Sequence, residues 1–166
     1  MKIRRVSTET YPKVLGLLKQ SFVRSNYEVN LVEKLHKNQC EMEEWVCLHI
    51  NKVIGYIAFT KAYKNGEVCG LHMAPVAVKP EYQNQGIGAE LIRFALRQEK
   101  IKNSTLFVLG NPEFYMKFGF TPCQNPVCPF TKNNKHFLGL RNSASEHFTV
   151  GYEKEFGLQE FDKKRK

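Results

Sequence analysis

The chain has 166 residues, of which 42% are hydrophobic and 25% are charged, and its formal net charge is +9 at pH 7. This length suits one domain with a substantial core, and the composition is ordinary for a soluble globular protein. No apolar stretch reaches the roughly 18 residues that a membrane span needs, and the start of the chain leads into no apolar signal core. These features argue against a membrane protein and a secreted precursor, and we expect a cytoplasmic protein.

The cysteine and charge patterns indicate which bonds, metals and ligands to expect. Five cysteines are an odd number without a C-x-x-C pair, which argues against a disulfide framework. Cys123 and Cys128, with His136 and His147 downstream, depart from the usual zinc spacings, so we expect no metal. The positive charge suits a phosphate-bearing ligand or a nucleic acid. Basic residues are spread along the chain, apart from residues 163–166, which we expect to be solvated.

The first part of the chain predicts a strand and two helices. Residues 2–6 alternate enough to form a strand, and Pro12 suits the first turn of the helix that follows. Apolar residues at i, i+3, i+4 and i+8, from Val14 to Phe22, indicate that this helix is amphipathic. A weaker pattern of the same kind predicts a second helix over residues 28–37.

Three strands are predicted next. Residues 44–50 and 53–62 are rich in β-formers and are separated by Asn51-Lys52, which predicts an antiparallel hairpin. Asn65-Gly66 is a second turn signal, and it leads into a strand over residues 68–78. The three strands should therefore meander.

A strand, a polar loop and a helix then follow in direct succession. Residues 71–78 are mostly apolar, and Pro80 ends this strand because proline cannot donate to a β-ladder. From Ile87 onward, apolar residues recur with a helical period. Gly86 and Gly88 carry no Cβ, so backbone N–H groups at the helix start can approach an anion closely. Neither a P-loop nor a dinucleotide fingerprint fits, so we predict a site for another kind of anion.

A short strand and a short helix are predicted after this loop. Residues 105–109 are apolar and β-prone, and we expect them beside the strand that ends at Val78. Asn111 suits an N-cap, Pro112 suits a first helical turn, and Gly119 should end the helix.

The sheet is expected to splay at this place. Pro75 has no amide hydrogen, and Gly110 ends the neighbouring strand abruptly. Backbone groups of residues 76–78 would then be free to pair with an extended chain that contains amides. Further on, residues 121–145 look irregular with one strand at 137–140, and a last strand is predicted at 148–152.

Two blocks of this chain resemble the signatures of a known family. Gln83-x-x-Gly86-x-Gly88, which follows Val78-x-Pro80, resembles the acyl-CoA signature of the GNAT-type (GCN5-related) N-acetyltransferases. A second block resembles the family pattern N-x-x-x-x-Y-x-x-x-G-F, through Asn111, Tyr115, Gly119 and Phe120. Together, the two blocks extend the resemblance over roughly residues 44–120.

The resemblance implies an α/β (α+β) fold with a single GNAT-like domain over residues 1–166. A mixed, mostly antiparallel sheet of about six or seven strands would be splayed between its two central strands and flanked by about four helices. Residues 1–43 would supply a strand and acceptor-side helices, residues 44–120 the CoA-binding core, and residues 121–166 a variable part.

The resemblance also implies an acetyl-CoA-dependent N-acetyltransferase. Tyr115 would be the general acid that protonates the departing thiolate, since a phenol stays protonated at pH 7. From its spacing alone, Tyr115 would be read as a packing residue. Coenzyme A would be bound by two sets of residues. The pyrophosphate would contact Gln83, Asn84, Gln85, Gly86, Ile87, Gly88 and Ala89, and the pantetheine arm would contact Val76, Ala77, Val78 and Asn111.

Several alternatives stay open at this point. The general base is either Glu67, His72 or water, and a solvated Glu67 and a hydrogen-bonded sheet His72 are the simpler interpretations. A non-catalytic acyl-CoA sensor would need the Gln83–Gly88 loop but not Tyr115. A basic nucleic-acid-binding protein would need a stripe of basic residues, which is not obvious here. The expected acceptor is a small-molecule or peptide amine, no membrane partner is expected, and a homodimer is left open.

Overall fold

The computed structural model describes residues 1–157. This part of the chain contains seven strands and four α-helices, and short 3₁₀ turns lie at Pro80–Tyr82, Met116–Phe118 and Lys154–Phe156. In chain order the elements are β1 (Lys2–Arg5), α1 (Tyr11–Ser21), α2 (Tyr27–Lys37), β2 (Glu43–His49), β3 (Lys52–Lys64), β4 (Glu67–Val78), α3 (Ile87–Leu96), β5 (Leu106–Leu109), α4 (Pro112–Tyr115), β6 (Thr121–Pro122) and β7 (Phe137–Leu140).

The strands form one mixed sheet in the order β1-β2-β3-β4-β5-β7-β6. β1 with β2, β2 with β3, β5 with β7 and β6 with β7 pair antiparallel, whereas β4 and β5 pair in parallel. The parallel register joins Leu71 to Leu106 and His72 to Phe107, so β4 pairs with the first two of the four residues of β5. The predicted mixed sheet of six or seven strands, mostly antiparallel and accompanied by about four helices, is therefore confirmed.

The chain forms two units, and the first comprises Met1–Phe59 and Ala74–Lys102. Its core contains the apolar faces of α1 and α2, as their helical spacing predicted, and these faces pack with side chains of β2, β3 and β4. α3 approaches β3 closely because Gly55 has no side chain there. A Cβ on Gly55 would lie 3.4 Å from both Ile87 and Leu91. Close packing of this kind fixes where the first turn of α3 begins.

The β2–β3 hairpin differs from the prediction by one residue. His49 pairs with Lys52, so Ile50 and Asn51 form the two-residue turn, not Asn51-Lys52. Both turn residues have positive φ angles, 50° and 60°, as a tight hairpin turn of this type requires at each central position. Ile50 is 78% exposed, and a positive φ is unusual for a β-branched residue.

The second unit comprises Thr60–Met73 and the chain from Asn103 onward. The predicted turn at Asn65-Gly66 is confirmed, with φ angles of 51° and 82°. Gly70 lets β4 lie directly against the residue before β5, since a Cβ there would be 2.5 Å from the carbonyl oxygen of Thr105. β5 is paired with β7 over all four of its residues.

The last part of the described chain contains one missed strand and one wrong prediction. β6 was not predicted, because two residues are too few to show a period. The predicted strand at 148–152 is absent from the structure of residues 1–157, where Thr149 and Gly151 form isolated bridges with Val127 and Tyr63. The basic residues 163–166 lie outside the described residues. None of the helices in the described part combines the length and apolarity that crossing a bilayer requires.

Candidate functional site

The end of β4 is fixed by hydrogen bonds to its last carbonyl group. The carbonyl oxygen of Val78 accepts a bond from Ser21 Oγ at 3.0 Å and another from Gln83 Nε2 at 2.9 Å. The next amide, of Lys79, donates to the carbonyl oxygen of Ile54 in β3 at 2.8 Å. The prediction that all backbone groups of residues 76–78 are free is therefore wrong for the Val78 carbonyl, because both of its lone pairs are used.

The loop between β4 and α3 is held by its own polar groups. Gln85 Nε2 donates to the carbonyl oxygen of Glu81 at 3.1 Å, across the 3₁₀ turn. Asn84 has a φ of 62° and Gly86 a φ of 82°, which are left-handed conformations that asparagine and glycine tolerate. Gln83, Asn84, Gln85 and Gly86 are all exposed. Their polar and backbone groups are accordingly accessible to a ligand.

The start of α3 has no side-chain cap. Its N-cap residue is Gly86, which has no side chain. No cap side chain therefore accepts a hydrogen bond from the N–H groups of the first turn. A Cβ placed on Gly86 would meet no atom within 4 Å, so the space beside this N-cap residue is open. Ile87 is buried, whereas Gly88 and Ala89 are half-buried in the same turn. N–H groups without a side-chain cap and the positive end of a ten-residue helix are features that favour an anion.

The predicted residues of the second unit lie together at α4. Asn111 caps the helix, and its Oδ1 accepts a hydrogen bond from the amide of Glu113 at 3.0 Å. The Tyr115 ring lies against Gly110, where a Cβ would be 2.5 Å from Tyr115 Cε2. Phe120 contacts the same ring edge-on, with 6.1 Å between the ring centroids. Gly110 is therefore needed for the ring position.

The environment of the Tyr115 hydroxyl group keeps it protonated. The residue is half-buried, and its hydroxyl has no hydrogen-bond partner among residues 1–157. Burial raises the pKa of the Tyr115 phenol, because the charged form would lose hydration. The phenol consequently stays protonated throughout the neutral range.

His72 and Glu67, the two candidate bases on β4, differ in environment. Glu67 is exposed, as a solvated residue would be. His72 is 1% exposed, its Nε2 lies 2.9 Å from the carbonyl oxygen of Gly151, and its ring stacks on Tyr152 with 3.5 Å between centroids. A carbonyl partner requires that Nε2 carry the proton, which leaves Nδ1 as an acceptor, and this buried atom has no partner among the described residues. Burial lowers the pKa of His72 to about 4.

Residues 1–157 contain no group of three or more His, Cys, Asp or Glu side chains that could hold a metal ion. Cys123 and Cys128 are instead buried in ordinary packing. The thiol of Cys123 lies 3.7 Å from the Asn142 amide, and that of Cys128 lies 3.5 Å from the Tyr152 hydroxyl.

Comparison with known proteins identifies a family model and two relatives that match this chain. The model of a family described as an acetyltransferase (GNAT) domain matches residues 42–122, which include both predicted blocks. The chain belongs to the GNAT family of acyltransferases. The uncharacterized N-acetyltransferase YjhQ of Escherichia coli is 42% identical over 76 residues, which cover 43% of this chain and 42% of YjhQ. YhbS of the same species is 32% identical over 112 residues, or 66% of each protein. The chain thus spans only part of the length of both relatives.

Solved GNAT structures are similar over most of this chain. The crystal structure of YhbS in complex with CoA has a TM-score of 0.84 and 26% identity, and it covers 93% of this chain and 91% of its own. A GNAT acetyltransferase from Brucella melitensis in complex with acetyl-CoA has a TM-score of 0.78 and 25% identity, covering 93% and 97%. These similarities confirm the predicted GNAT fold.

The sequence reasoning did not predict the environments of two polar side chains. Ser21 is the last residue of α1, and nothing in the amphipathic pattern that predicted this helix indicated that its hydroxyl would bind the end of β4. Glu28, in the first turn of α2, has a buried carboxylate oxygen, Oε2, without a hydrogen-bond partner among the described residues. Its only sequence signal was an acidic residue at a helix start, which is common on solvated helices.

Proposed function

We propose that this protein is an acetyl-CoA-dependent N-acetyltransferase that moves an acetyl group to a primary amine by direct attack. The observation that carries the proposal is the uncapped start of α3 at Gly86, with open space beside this residue and a polar loop next to it. A diphosphate suits this place because several N–H donors converge there with the helix dipole. Gln83, Asn84, Gln85 and the first turn, Ile87 to Ala89, complete the loop.

The pantetheine arm is proposed to pair with β4. The amide of Lys79 donates a hydrogen bond to β3. In a strand, the backbone N–H and C=O groups of every second residue point to the same edge. The backbone groups of Ala77 therefore face β3 as well. Val76 then faces the opposite edge, where Val78 already binds Ser21 and Gln83. We therefore assign the main-chain pairing to Val76, with Ala77 and Val78 fixing its position. Asn111 would add an amide contact from α4, since its Nδ2 is not used in the cap.

The chemical step needs placement, an oxyanion contact and an acid. The neutral amine attacks the thioester carbonyl carbon, a C–N bond forms, and the C–S bond then breaks to release the thiolate. Holding the two reactants in attack geometry supplies on the order of 7 to 11 kcal/mol of the barrier. The backbone N–H of Val76 is suited to the developing oxyanion, and Tyr115 donates its phenolic proton to the thiolate. The amine proton passes to solvent or to a base that we do not assign.

Release of free thiol from acetyl-CoA tests the proposal. We expect release that depends on an added amine in a panel of polyamines, aminoglycosides, amino acids and peptides. Calorimetric binding of CoA with no thiol release across the panel would favour an acyl-CoA sensor. Absence of CoA binding, together with nucleic-acid binding that falls steeply with salt, would favour the nucleic-acid alternative.

A further inference from the structure

The peptide group between Val78 and Lys79 is hydrogen-bonded on both sides. Its N–H, which belongs to Lys79, donates to the carbonyl oxygen of Ile54 at 2.8 Å. Its carbonyl oxygen, which belongs to Val78, accepts from Ser21 Oγ at 3.0 Å and from Gln83 Nε2 at 2.9 Å. A carbonyl oxygen has two lone pairs, and both are used here. The Val78 carbonyl is therefore closed to a further donor.

Ser21 reaches this carbonyl from the core-facing side of α1. Leu17 and Leu18 lie four and three residues before Ser21, and both are buried. Residues at these spacings share one face of a helix, so Ser21 lies on the same face. Both leucines pack in the hydrophobic cluster that contains Ala77, the residue before Val78. The packing of α1 therefore holds the hydroxyl donor at the end of β4.

The closed carbonyl limits how an extended chain can pair with β4. Alternate residues of a strand face the same edge, so Val76 and Val78 both present their backbone groups on the edge away from β3. A chain that contains amides would have two carbonyl acceptors on this edge if both were free. The two acceptors lie two residues apart, which is roughly 6 to 7 Å along a strand. Because Val78 is already bonded, Val76 is the acceptor that remains among residues 76–78.

We propose that Ser21 and Gln83 are positioning residues that fix the register in which the thioester arm pairs with β4. The inference rests on the proposed function, because it concerns the same arm and the same strand. A slip of two residues would move the thioester by roughly 6 to 7 Å. A misplacement of about 1 Å already slows a reaction by as much as about a hundredfold. Closing the Val78 carbonyl excludes the slipped pairing and leaves the productive one.

This role for the Gln83 side chain differs from the diphosphate contact that the family resemblance implies. The side-chain amide donates to the strand, whereas the N–H groups at the start of α3 are the donors suited to a diphosphate. The two roles have opposite consequences for a substrate that lacks the diphosphate. Loss of a diphosphate contact would harm only acetyl-CoA, while loss of the register would harm the shorter substrate more.

S-acetylpantetheine, which has the thioester arm but no diphosphate, tests the register. The diphosphate of acetyl-CoA is a second anchor that also opposes a slip, so the shorter substrate should depend more on the closed carbonyl. We expect Ser21→Ala to lower kcat/KM about threefold for acetyl-CoA and about thirtyfold for S-acetylpantetheine, measured as thiol release with one amine. Ser21→Thr keeps a hydroxyl donor and should restore both values. An equal loss with both substrates would show a structural role instead and overturn the inference.

Gln83→Met keeps the length of the side chain and removes its donor. We expect the ratio of kcat/KM for acetyl-CoA to that for S-acetylpantetheine to rise, as it does in Ser21→Ala. A fall in this ratio would assign Gln83 to the diphosphate. Thr105→Val is the matched control, because the Thr105 hydroxyl also donates to a backbone carbonyl, that of Arg141 at 2.8 Å. This control should leave the ratio unchanged.

Acetyl-CoA alone gives a second measurement. The double variant Ser21→Ala with Gln83→Met removes both donors from the Val78 carbonyl. We expect its kcat to fall about thirtyfold, while its affinity for CoA by calorimetry changes less than about twofold. A wild-type kcat in the double variant would overturn the inference and leave the proposed function in place. Absence of thiol release by the wild type with every amine would instead overturn the proposed function, and this inference with it.

Discussion

The helices α3 and α4 both begin after a strand and a glycine, but only α4 has a side-chain N-cap. α4 is capped by Asn111, whose side chain satisfies an amide of the first turn. α3 begins at Gly86, which has no side chain to offer. The difference teaches where to expect a ligand, because a capped helix has already satisfied a donor that an uncapped one still presents. In α4 the group that we propose to act is instead a side chain, Tyr115.

Other polar groups of the two units also differ in whether they have hydrogen-bond partners. In the first unit, the Glu28 carboxylate oxygen lacks a partner, as the α3 start lacks a side-chain cap. In the second unit, Asn111 completes a helix and His72 binds the Gly151 carbonyl through Nε2. We therefore expect changes at the α3 start to act on ligand affinity, and changes at His72 to act on stability.

The largest effect is expected at Gly86. Gly86→Leu would fill the open space beside this N-cap residue and block the converging N–H groups, so the affinity for CoA should fall about a thousandfold by calorimetry. Gly66→Leu is the matched control, because Gly66 also has a φ of 82° and open space around its Cβ position. Both variants should lose similar stability from the left-handed conformation, about 1 to 2 kcal/mol. Equal CoA affinity in the two variants would rule out the anion site at α3.

A smaller effect, on stability, is expected at His72. Burial lowers its pKa to about 4, while an unfolded histidine titrates near 6.5. Between these pH values the unfolded chain binds a proton that the folded protein does not, so the free energy of unfolding falls as the pH drops from about 6.5 to about 4. The total loss should be about 3 kcal/mol, measured by urea unfolding. His72→Phe should remove this dependence and the exposed His147→Gln should keep it. A fall of the same size in His72→Phe would assign the dependence to another group.

Tyr115→Phe should lower kcat by about a hundredfold and leave the affinity for acetyl-CoA unchanged. The reason is that only the hydroxyl is removed, while the ring still packs against Gly110 and Phe120. Tyr11→Phe serves as the control, since burial also raises the pKa of that phenol. Because the Tyr115 pKa is raised, activity should show no loss from its ionisation up to about pH 9. An unchanged kcat in Tyr115→Phe would return Tyr115 to a packing role.

The smallest effect is expected at Asn111, where two substitutions separate two roles. Asn111→Ala removes the cap of α4 and should cost about 1 kcal/mol of stability in a thermal melt. Asn111→Asp keeps an oxygen for the Glu113 amide but loses the amide donor, so it should keep most of the stability and bind CoA about fivefold more weakly. If both variants bind CoA as the wild type does, Asn111 only caps the helix.

Local patterns predicted much of the fold and of the candidate site. The i, i+3, i+4 spacing gave α1 and α2 to within one or two residues, because their apolar faces do pack together. The pattern of a strand, a glycine-containing loop and a helical period located α3. It did so because proline restricts the backbone and glycine frees it wherever they occur in a chain. The predicted strand at 148–152 failed because its pairing consists of isolated bridges to distant residues, which leave no period in the sequence.

The sequence by itself therefore determined the order of the elements, the uncapped glycine before α3 and the block from Asn111 to Phe120, because each depends on residues close together in the chain. Only the tertiary structure decided which polar groups find partners. Ser21 binds the carbonyl of Val78 from 57 residues away, and no carbonyl, amide or charge does the same for the buried oxygen of Glu28 in the described part of the chain. Whether a polar group is satisfied depends on contacts between distant segments, and these are set by packing.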